Sequence, residues 1–143
     1  MHESGADEIC NARATEAGLP GAGTYKAWLS DGALNPNERF ARSLVDPYVL
    51  VDGTVVAANW GDLIVSPLAS PINLDENGLL SPNLAVWTAT ATNALQSGTF
   101  CADWTDGTSG TAEAGNSSAT VDWSTATGAL GCAGPARLVY FQQ

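Results

Sequence analysis

The residues whose types best suit a binding site lie in the last third of the chain, between two cysteines. Two tryptophans stand near the ends of this segment, and aspartates stand beside each of them. An indole ring beside a carboxylate can stack on a sugar while the carboxylate bonds its hydroxyls, and the same ring can anchor a protein interface. The sequence therefore predicts a ligand-binding set consisting of Asp103, Trp104, Asp106, Asp122 and Trp123.

Enzymatic chemistry is not expected from this set of residues. A serine or cysteine nucleophile needs a neighbouring base, and the only histidine, His2, lies at the amino terminus. Two carboxylates such as Asp103 and Asp122 can hydrolyse a glycosidic bond, but solvated loop acids explain them more simply. We therefore expect a protein that binds rather than one that catalyses.

Metal binding is not expected either. No cluster of cysteine and histidine has the spacing of a zinc site. Calcium takes several oxygen ligands, and it is the one cofactor that we consider as an alternative. The residues that can supply those oxygens match no calcium-loop spacing; they are Asp103, Asp106, Glu113, Asn116 and Asp122.

Cys101 and Cys132 bracket a segment rich in glycine, serine, threonine and alanine. The simplest interpretation is a disulfide between them, which removes ~3.5–4 kcal/mol of unfolded-state entropy for a loop of roughly 30 residues. Short strands are predicted at 100–104 and 136–141, with an irregular loop between them. A closed loop of this length without periodicity favours a functional segment.

The amino-acid composition of the chain limits the kinds of molecule that we expect it to bind. The chain of 143 residues suggests a single domain, 1–143. The net charge is −10, which excludes nucleic acid, heparin and anionic membranes, because these partners require clustered positive charge. No apolar run approaches ~18 residues, so no membrane insertion is expected. The low charged fraction of 14% and the expected disulfide indicate a secreted or cell-surface protein.

Three short helices are predicted in the first half of the chain. The first covers 6–17, because acids come early, Arg13 comes late and a glycine follows. Its inner face is expected to carry Ile9, Cys10, the stem of Arg13 and Ala17. The other two begin behind asparagines that can cap them, Asn35 and Asn59, and run to about 43 and 64.

Short strands are predicted elsewhere, at 24–29 and 86–90, and a hairpin at 48–57 is built around Asp52-Gly53. Three prolines make 66–82 a loop. Three tryptophans fall in predicted regular elements and are expected in the core: Trp28, Trp60 and Trp87. The fold class is therefore α+β, with small helices early, short antiparallel strands late and long loops.

Several motifs follow one another in order along nearly the whole chain. They are Cys10, residues 17–20 (AGLP), 24–30 (TYKAWLS), 47–51 (PYVLV), 59–63 (NWGDL), 86–88 (VWT), 100–105 (FCADWT) and 131–132 (GC). In this order and spacing the chain resembles endostatin-like domains, and most closely their bacterial secreted relatives. The resemblance implies a C-type-lectin-like fold.

The resemblance also implies two disulfides. The inner bridge would join Cys101 to Cys132, and the outer bridge would join Cys10 to a cysteine in the last strand. Tyr140 occupies that second position, so the outer bridge is expected to be absent and Cys10 to be a free thiol. We favour a buried thiol over pairing with another chain, because free cysteine packs as a small hydrophobe.

The best-known activities of the family do not transfer. Animal endostatins bind heparin through arginines and zinc through histidines, and this chain has four arginines and one histidine. The Glu-Pro-Asn and Gln-Pro-Asp motifs of sugar-binding C-type lectins are not found. Asn35-Pro36-Asn37 is the nearest sequence and is better explained as a helix cap.

Two functions remain. The first is a secreted or surface-exposed, non-enzymatic recognition module that binds a glycan or a protein through the 103–124 region. The alternative is a structural subunit that packs against copies of itself or against other surface or filament proteins, since a neutral surface rich in alanine, threonine and glycine desolvates at low cost.

Overall fold

A helix of small inward-facing residues opens the fold. The computed structural model describes residues 3–143, and its first element is α1, Glu3–Glu16. The buried face consists of Ala6, Cys10 and Ala14, which recur every four residues as one helix face requires. The predicted helix is confirmed, but Ile9 lies on the outside, 49% exposed. The helix begins three residues earlier than predicted, at Glu3, and His2 lies outside the described residues.

The two ends of the chain are joined by strand pairing. Strand β1, Tyr25–Ala27, pairs antiparallel with β8, Tyr140–Gln142. Because side chains alternate across a strand, Tyr25 and Tyr140 emerge on the same face as diagonal neighbours. This pairing brings the carboxy-terminal strand next to α1.

One buried ion pair ties α1 and β1 to the second helix, α2, Pro36–Arg39. An Asp7 carboxylate oxygen lies 2.6 Å from the Arg39 guanidinium, and Asp7 Oδ1 also accepts a bond from the Ala27 amide at 2.8 Å. Arg39 donates to two further backbone carbonyls of the first strand region, those of Ala27 and Leu29. Each charge is thus hydrogen-bonded as well as paired, as a buried pair requires.

Most secondary-structure elements predicted for the middle of the chain are confirmed. Strands β2, Tyr48–Val49, and β3, Val55–Ala57, form the hairpin. Helix α3, Trp60–Leu63, begins behind Asn59, whose side chain accepts a bond from the Asp62 amide. Helix α2 stops earlier than predicted, because the backbone turns extended at Phe40.

A four-stranded sheet organises the second half of the chain. In spatial order it contains β6, Gly128–Gly131, β5, Thr111–Asn116, β4, Ala85–Trp87, and β7, Arg137–Leu138. The pairings are antiparallel except for β4 with β7, which is parallel. The predicted final strand at 136–141 is therefore two strands, β7 and β8, that belong to different sheets.

Strand β5 corrects the prediction of an irregular loop between the cysteines. Its inward residues are alanines, Ala112 and Ala114, which give a weak strand signal because alanine is depleted in strands. At Gly115 a Cβ would collide with the backbone carbonyl of Trp123. The strand therefore packs in the sheet because its small residues let neighbouring backbone come close, and it buries no large apolar side chain.

The predicted strand at 100–104 is also wrong. Residues Cys101–Trp104 form α4, a turn in which all four residues have φ between 50° and 62°. Left-handed backbone costs roughly 1–2 kcal/mol per residue for non-glycine types, so tertiary contacts must hold it. Asp103 Oδ1 accepts a bond from the Gly32 amide, and the Trp104 indole donates to the Ser30 carbonyl.

The core divides into two clusters. One surrounds Trp28, whose ring contacts Phe40, Trp60, Trp123 and Phe141. The other lies between α1 and the four-stranded sheet and includes Trp87. The predicted burial of Trp28, Trp60 and Trp87 is confirmed.

None of the helices within residues 3–143 has the length and apolar character that crossing a membrane requires.

Candidate functional site

The two tryptophans of the predicted ligand-binding set are core residues. Trp104 is 7% exposed and packs edge-on against Trp87, with ring centroids 5.7 Å apart. Trp123 is 1% exposed and packs against Trp28 at 5.2 Å. They belong to different core clusters. The structure therefore does not form the stacking platform that the sequence predicts, because neither ring has an open face.

The carboxylates of Asp103 and Asp106 accept hydrogen bonds, whereas the carboxylate of Asp122 is exposed and accepts none within residues 3–143. Asp103 bonds the Gly32 amide at 2.8 Å. Asp122 begins a turn in which its carbonyl accepts from the Thr125 amide, and its own amide donates to Ser66. Within residues 3–143, no group of three or more acidic, cysteine or histidine side chains is placed to hold a metal ion.

Asp106 folds back onto its own turn. Its carboxylate accepts bonds from the amide and hydroxyl of Thr108, at 2.8 and 2.7 Å, and from the amide and hydroxyl of Ser109. These hydrogen bonds stabilise the charged carboxylate and hold the pKa of Asp106 well below its usual range. The bond from the Ser109 hydroxyl has the largest effect. The carboxylate shapes the turn and has little remaining capacity for a ligand.

The disulfide between Cys101 and Cys132 is confirmed, with Cα atoms 5.7 Å apart. A small pocket of about 110 Å³ lies beside it, bordered by Trp87, Trp104 and Asp106. That volume equals only a few water molecules, each occupying ~30 Å³ in the liquid. The predicted region thus contains a closed loop, as expected, but no cavity large enough for most ligands.

A much larger cavity lies elsewhere, along the carboxy-terminal segment. It is a cleft of about 1040 Å³, lined by every residue of 136–143, by one face of α1, by the segment 46–51 before and within the hairpin, and by part of the 72–76 loop. We call it the terminal cleft. No local pattern in the sequence predicts this cleft, because its walls come from many separated parts of the chain.

All three tyrosines of the chain line the terminal cleft. The Tyr25 and Tyr140 rings meet edge to face, 5.5 Å apart and at 87°. Tyr48 packs in the same manner on Phe141, at 5.3 Å. All three tyrosines are half-buried. The cleft therefore presents aromatic surface where the predicted tryptophan site does not.

The polar groups of the cleft differ in how well they are satisfied. The Tyr25 hydroxyl donates to the Pro20 carbonyl at 2.9 Å. The Tyr140 hydroxyl oxygen is buried and has no hydrogen-bond partner within residues 3–143. Burial raises the pKa of Tyr140 far above its ordinary value, and the negative charge of Glu76 makes the second-largest contribution in the same direction. This hydroxyl stays protonated at any physiological pH.

Cys10 also borders the cleft and is buried, with no disulfide partner. Burial, with a smaller effect from Asp7, raises the pKa of the Cys10 thiol to about 12. Because the thiolate is the nucleophilic form, this thiol is inert at neutral pH. Cys10 packs against the cleft wall and does no chemistry there.

Apolar side chains complete the lining. Ile9, Val49 and Val51 are about half-exposed and border the cleft. A cavity with apolar walls, aromatic rings and a few polar groups is the usual composition of a binding site.

No family model matches the chain, and no curated protein is significantly similar to it in sequence.

Proposed function

We propose that this protein is a secreted or surface-exposed recognition module, without enzymatic activity, and that it binds a segment of a partner protein in the terminal cleft. The observation that carries the proposal is the cleft itself. Its volume of about 1040 Å³ matches the upper range of ligand sites, ~300–1,000 Å³. Tyrosine is enriched at protein interfaces because it combines a large apolar ring with a polar tip.

A protein ligand fits the lining better than a glycan does. Sugar recognition by stacking needs an exposed ring face, and all five tryptophans are buried. Several of the half-exposed side chains at the cleft are aliphatic, among them Ile9, Val49 and Val51. Aliphatic side chains gain free energy by covering apolar surface, which a peptide side chain supplies and a sugar hydroxyl does not.

The fold and location belong to the same proposal. We propose an endostatin-like, C-type-lectin-like fold. Its support is the bridge between Cys101 and Cys132, together with the position of Cys10 and Tyr140 on the walls of one cleft. Those are the two positions that the outer bridge of the family would join. A disulfide is also typical of extracellular proteins.

The test is selection from a phage-displayed library of random twelve-residue peptides, each of which reaches about 40 Å when fully extended. Two variants serve as a matched pair. Val51→Glu places a charge in the cleft, while Val121→Glu places the same charge at an exposed valine outside its lining. Selected peptides are expected to bind wild type and Val121→Glu equally and Val51→Glu at least tenfold more weakly.

Two results would overturn this proposal. One is a library from which no peptide is enriched over a blank selection. The other is a set of peptides that bind Val51→Glu as well as they bind wild type. Glycan-array binding that is unaffected by Val51→Glu would restore the glycan ligand and place it outside the cleft.

A structural role as an assembly subunit is the second candidate, and one observation favours it. Leu44 and Val45 are adjacent and are 71% and 83% exposed, which is costly for a monomer in water. If this pair joins two copies, the sedimentation coefficient should rise with concentration in wild type and stay constant in Val45→Asp. A coefficient that is independent of concentration in both proteins would exclude self-association through this pair.

A further inference from the structure

We propose that the part of the terminal cleft bounded by Tyr25, Tyr140 and Glu76 is a subsite for a cation, and that it takes the lysine or arginine side chain of the bound partner segment. This inference rests on the proposed function, because it names the chemistry of the segment that enters the cleft. It extends that function by assigning a charge requirement to one position of the ligand.

Glu76 is the first reason. It lines the cleft and is half-buried. It has no hydrogen bond or ion pair with any residue in 3–143, whereas the neighbouring Asp75 uses its Oδ1 to accept from the amides of Asn77 and Leu79, both at 2.9 Å. A half-buried carboxylate without a partner favours a cation, since charge-assisted bonds are the strongest that it can make.

The cations of the protein itself do not fill this role. Arg39 is held by Asp7 at 2.6 Å. Arg13 borders the cleft, but its guanidinium lies 3.3 Å from Glu16. Arg137 also lines the cleft and is exposed, and it forms no ion pair with Glu76. The Glu76 carboxylate is therefore available to a charge brought by a ligand.

The two tyrosine rings are the second reason. Tyr25 and Tyr140 stand at 87° with their centroids 5.5 Å apart, so they form a corner rather than a stack. A cation within ~6 Å of a tyrosine ring face is attracted by the electrons of the ring. Glu76 lines the same cleft as both rings, and its negative charge contributes to the raised pKa of Tyr140.

The charge of the whole protein acts in the same direction. With 15 acidic and five basic residues, the protein attracts a basic segment at long range, and that attraction weakens as salt increases. An acidic or neutral segment gains nothing from this field. Charge complementarity, locally and overall, therefore selects a basic side chain as the occupant.

The direct test uses n-butylammonium chloride as a probe of the lysine side chain, with n-butanol as its uncharged counterpart. Titration of isotope-labelled protein is followed through the ring resonances of Tyr25 and Tyr140. Butylammonium should shift both resonances saturably, and butanol should not. Glu76→Gln should weaken butylammonium binding about fivefold or more, while Glu8→Gln, which alters an exposed carboxylate of α1, should leave it unchanged.

Equal shifts with butanol, or equal affinity in Glu76→Gln and wild type, would overturn the subsite. The peptide experiment separates the two proposals. Peptides that bind the cleft without a basic residue, and that bind Glu76→Gln as well as wild type, would remove the subsite and leave the recognition function standing. Saturable butylammonium binding with no selected peptide would remove the recognition function and retain the subsite.

Discussion

The disulfide-closed segment from 101 to 132 and the terminal cleft use their residues in opposite ways. The first contains tryptophans and aspartates, which are common in binding sites, yet its tryptophans are buried and the carboxylates of Asp103 and Asp106 bond backbone and turn groups. The second is lined by ordinary tyrosines, valines and a glutamate, which remain half-exposed around a cavity of about 1040 Å³.

This contrast teaches that residue type alone does not identify a site. A tryptophan has the largest apolar surface of any side chain, so burying it stabilises a small domain strongly. Aspartate in a turn satisfies backbone amides that would otherwise lack partners. Both types therefore serve stability wherever the fold allows it, and the groups left for a ligand are those whose partners the fold does not supply.

The largest expected effect follows from placing Trp123 in the core. Trp123→Ala should destabilise the protein by about 3–5 kcal/mol, because a buried indole leaves a large cavity. Urea unfolding measures this change. Val121→Ala, at an exposed position two residues earlier, should cost less than about 0.5 kcal/mol. If Trp123→Ala lowers the free energy of unfolding by less than about 1 kcal/mol, the placement of Trp123 in the core is wrong.

The disulfide should contribute nearly as much. The double variant Cys101→Ala with Cys132→Ala should lose ~3.5–4 kcal/mol of unfolding free energy, as expected for closure of this loop over a separation of 31 residues. Adding a dithiol reductant should lower the urea midpoint of wild type and leave the double variant unchanged. A reductant effect on the double variant would point to a role for Cys10 instead.

Loss of the Tyr140 hydroxyl from the terminal cleft should raise the free energy of unfolding, in contrast to the two preceding changes, which lower it. Tyr140→Phe removes a buried hydroxyl that lacks a partner and should stabilise the protein by about 1 kcal/mol. Tyr25→Phe removes the bond to the Pro20 carbonyl and should destabilise it by a similar amount, about 1 kcal/mol. Denaturation of both variants in parallel checks the signs. Destabilisation by Tyr140→Phe would mean that this hydroxyl contributes to the fold.

The smallest effect concerns acid stability. The folded-state pKa of Asp106 is lowered, so its contribution is present above the unfolded-state pKa, near 4, and is lost as pH falls through the folded value. Asp106→Asn should therefore flatten the fall in stability between about pH 4 and pH 2, and Glu8→Gln serves as the control. Thermal midpoints across this range provide the measurement, and parallel curves for wild type and Asp106→Asn would contradict the assignment.

Much of the secondary structure was predictable because its signals are local. Asp52-Gly53 predicts its hairpin, Asn59 predicts the cap of α3, and Gly18 predicts the end of α1, where its φ is +70°. Each depends on backbone conformations available to a few neighbouring residues. The predicted pairing of Cys101 with Cys132 also holds.

The failures involve residues whose conformation depends on distant parts of the chain. Strand β5 is built from small residues, and Gly115 fits there because the backbone at Trp123 passes so close. The left-handed turn of α4 contradicts the preferences of its own residues and persists through contacts with Ser30 and Gly32. No local pattern contains this information.

The sequence by itself determined the α+β class, the bridge that closes the loop, the burial of Trp28, Trp60 and Trp87, and the acidic net charge. Only the tertiary structure decided which tryptophans and carboxylates remain available to a ligand. The reason is that exposure and hydrogen-bond satisfaction arise between residues far apart in sequence. Glu76 and Tyr140 line one cleft only because the carboxy-terminal strand pairs with β1 and the 72–76 loop borders the same cavity.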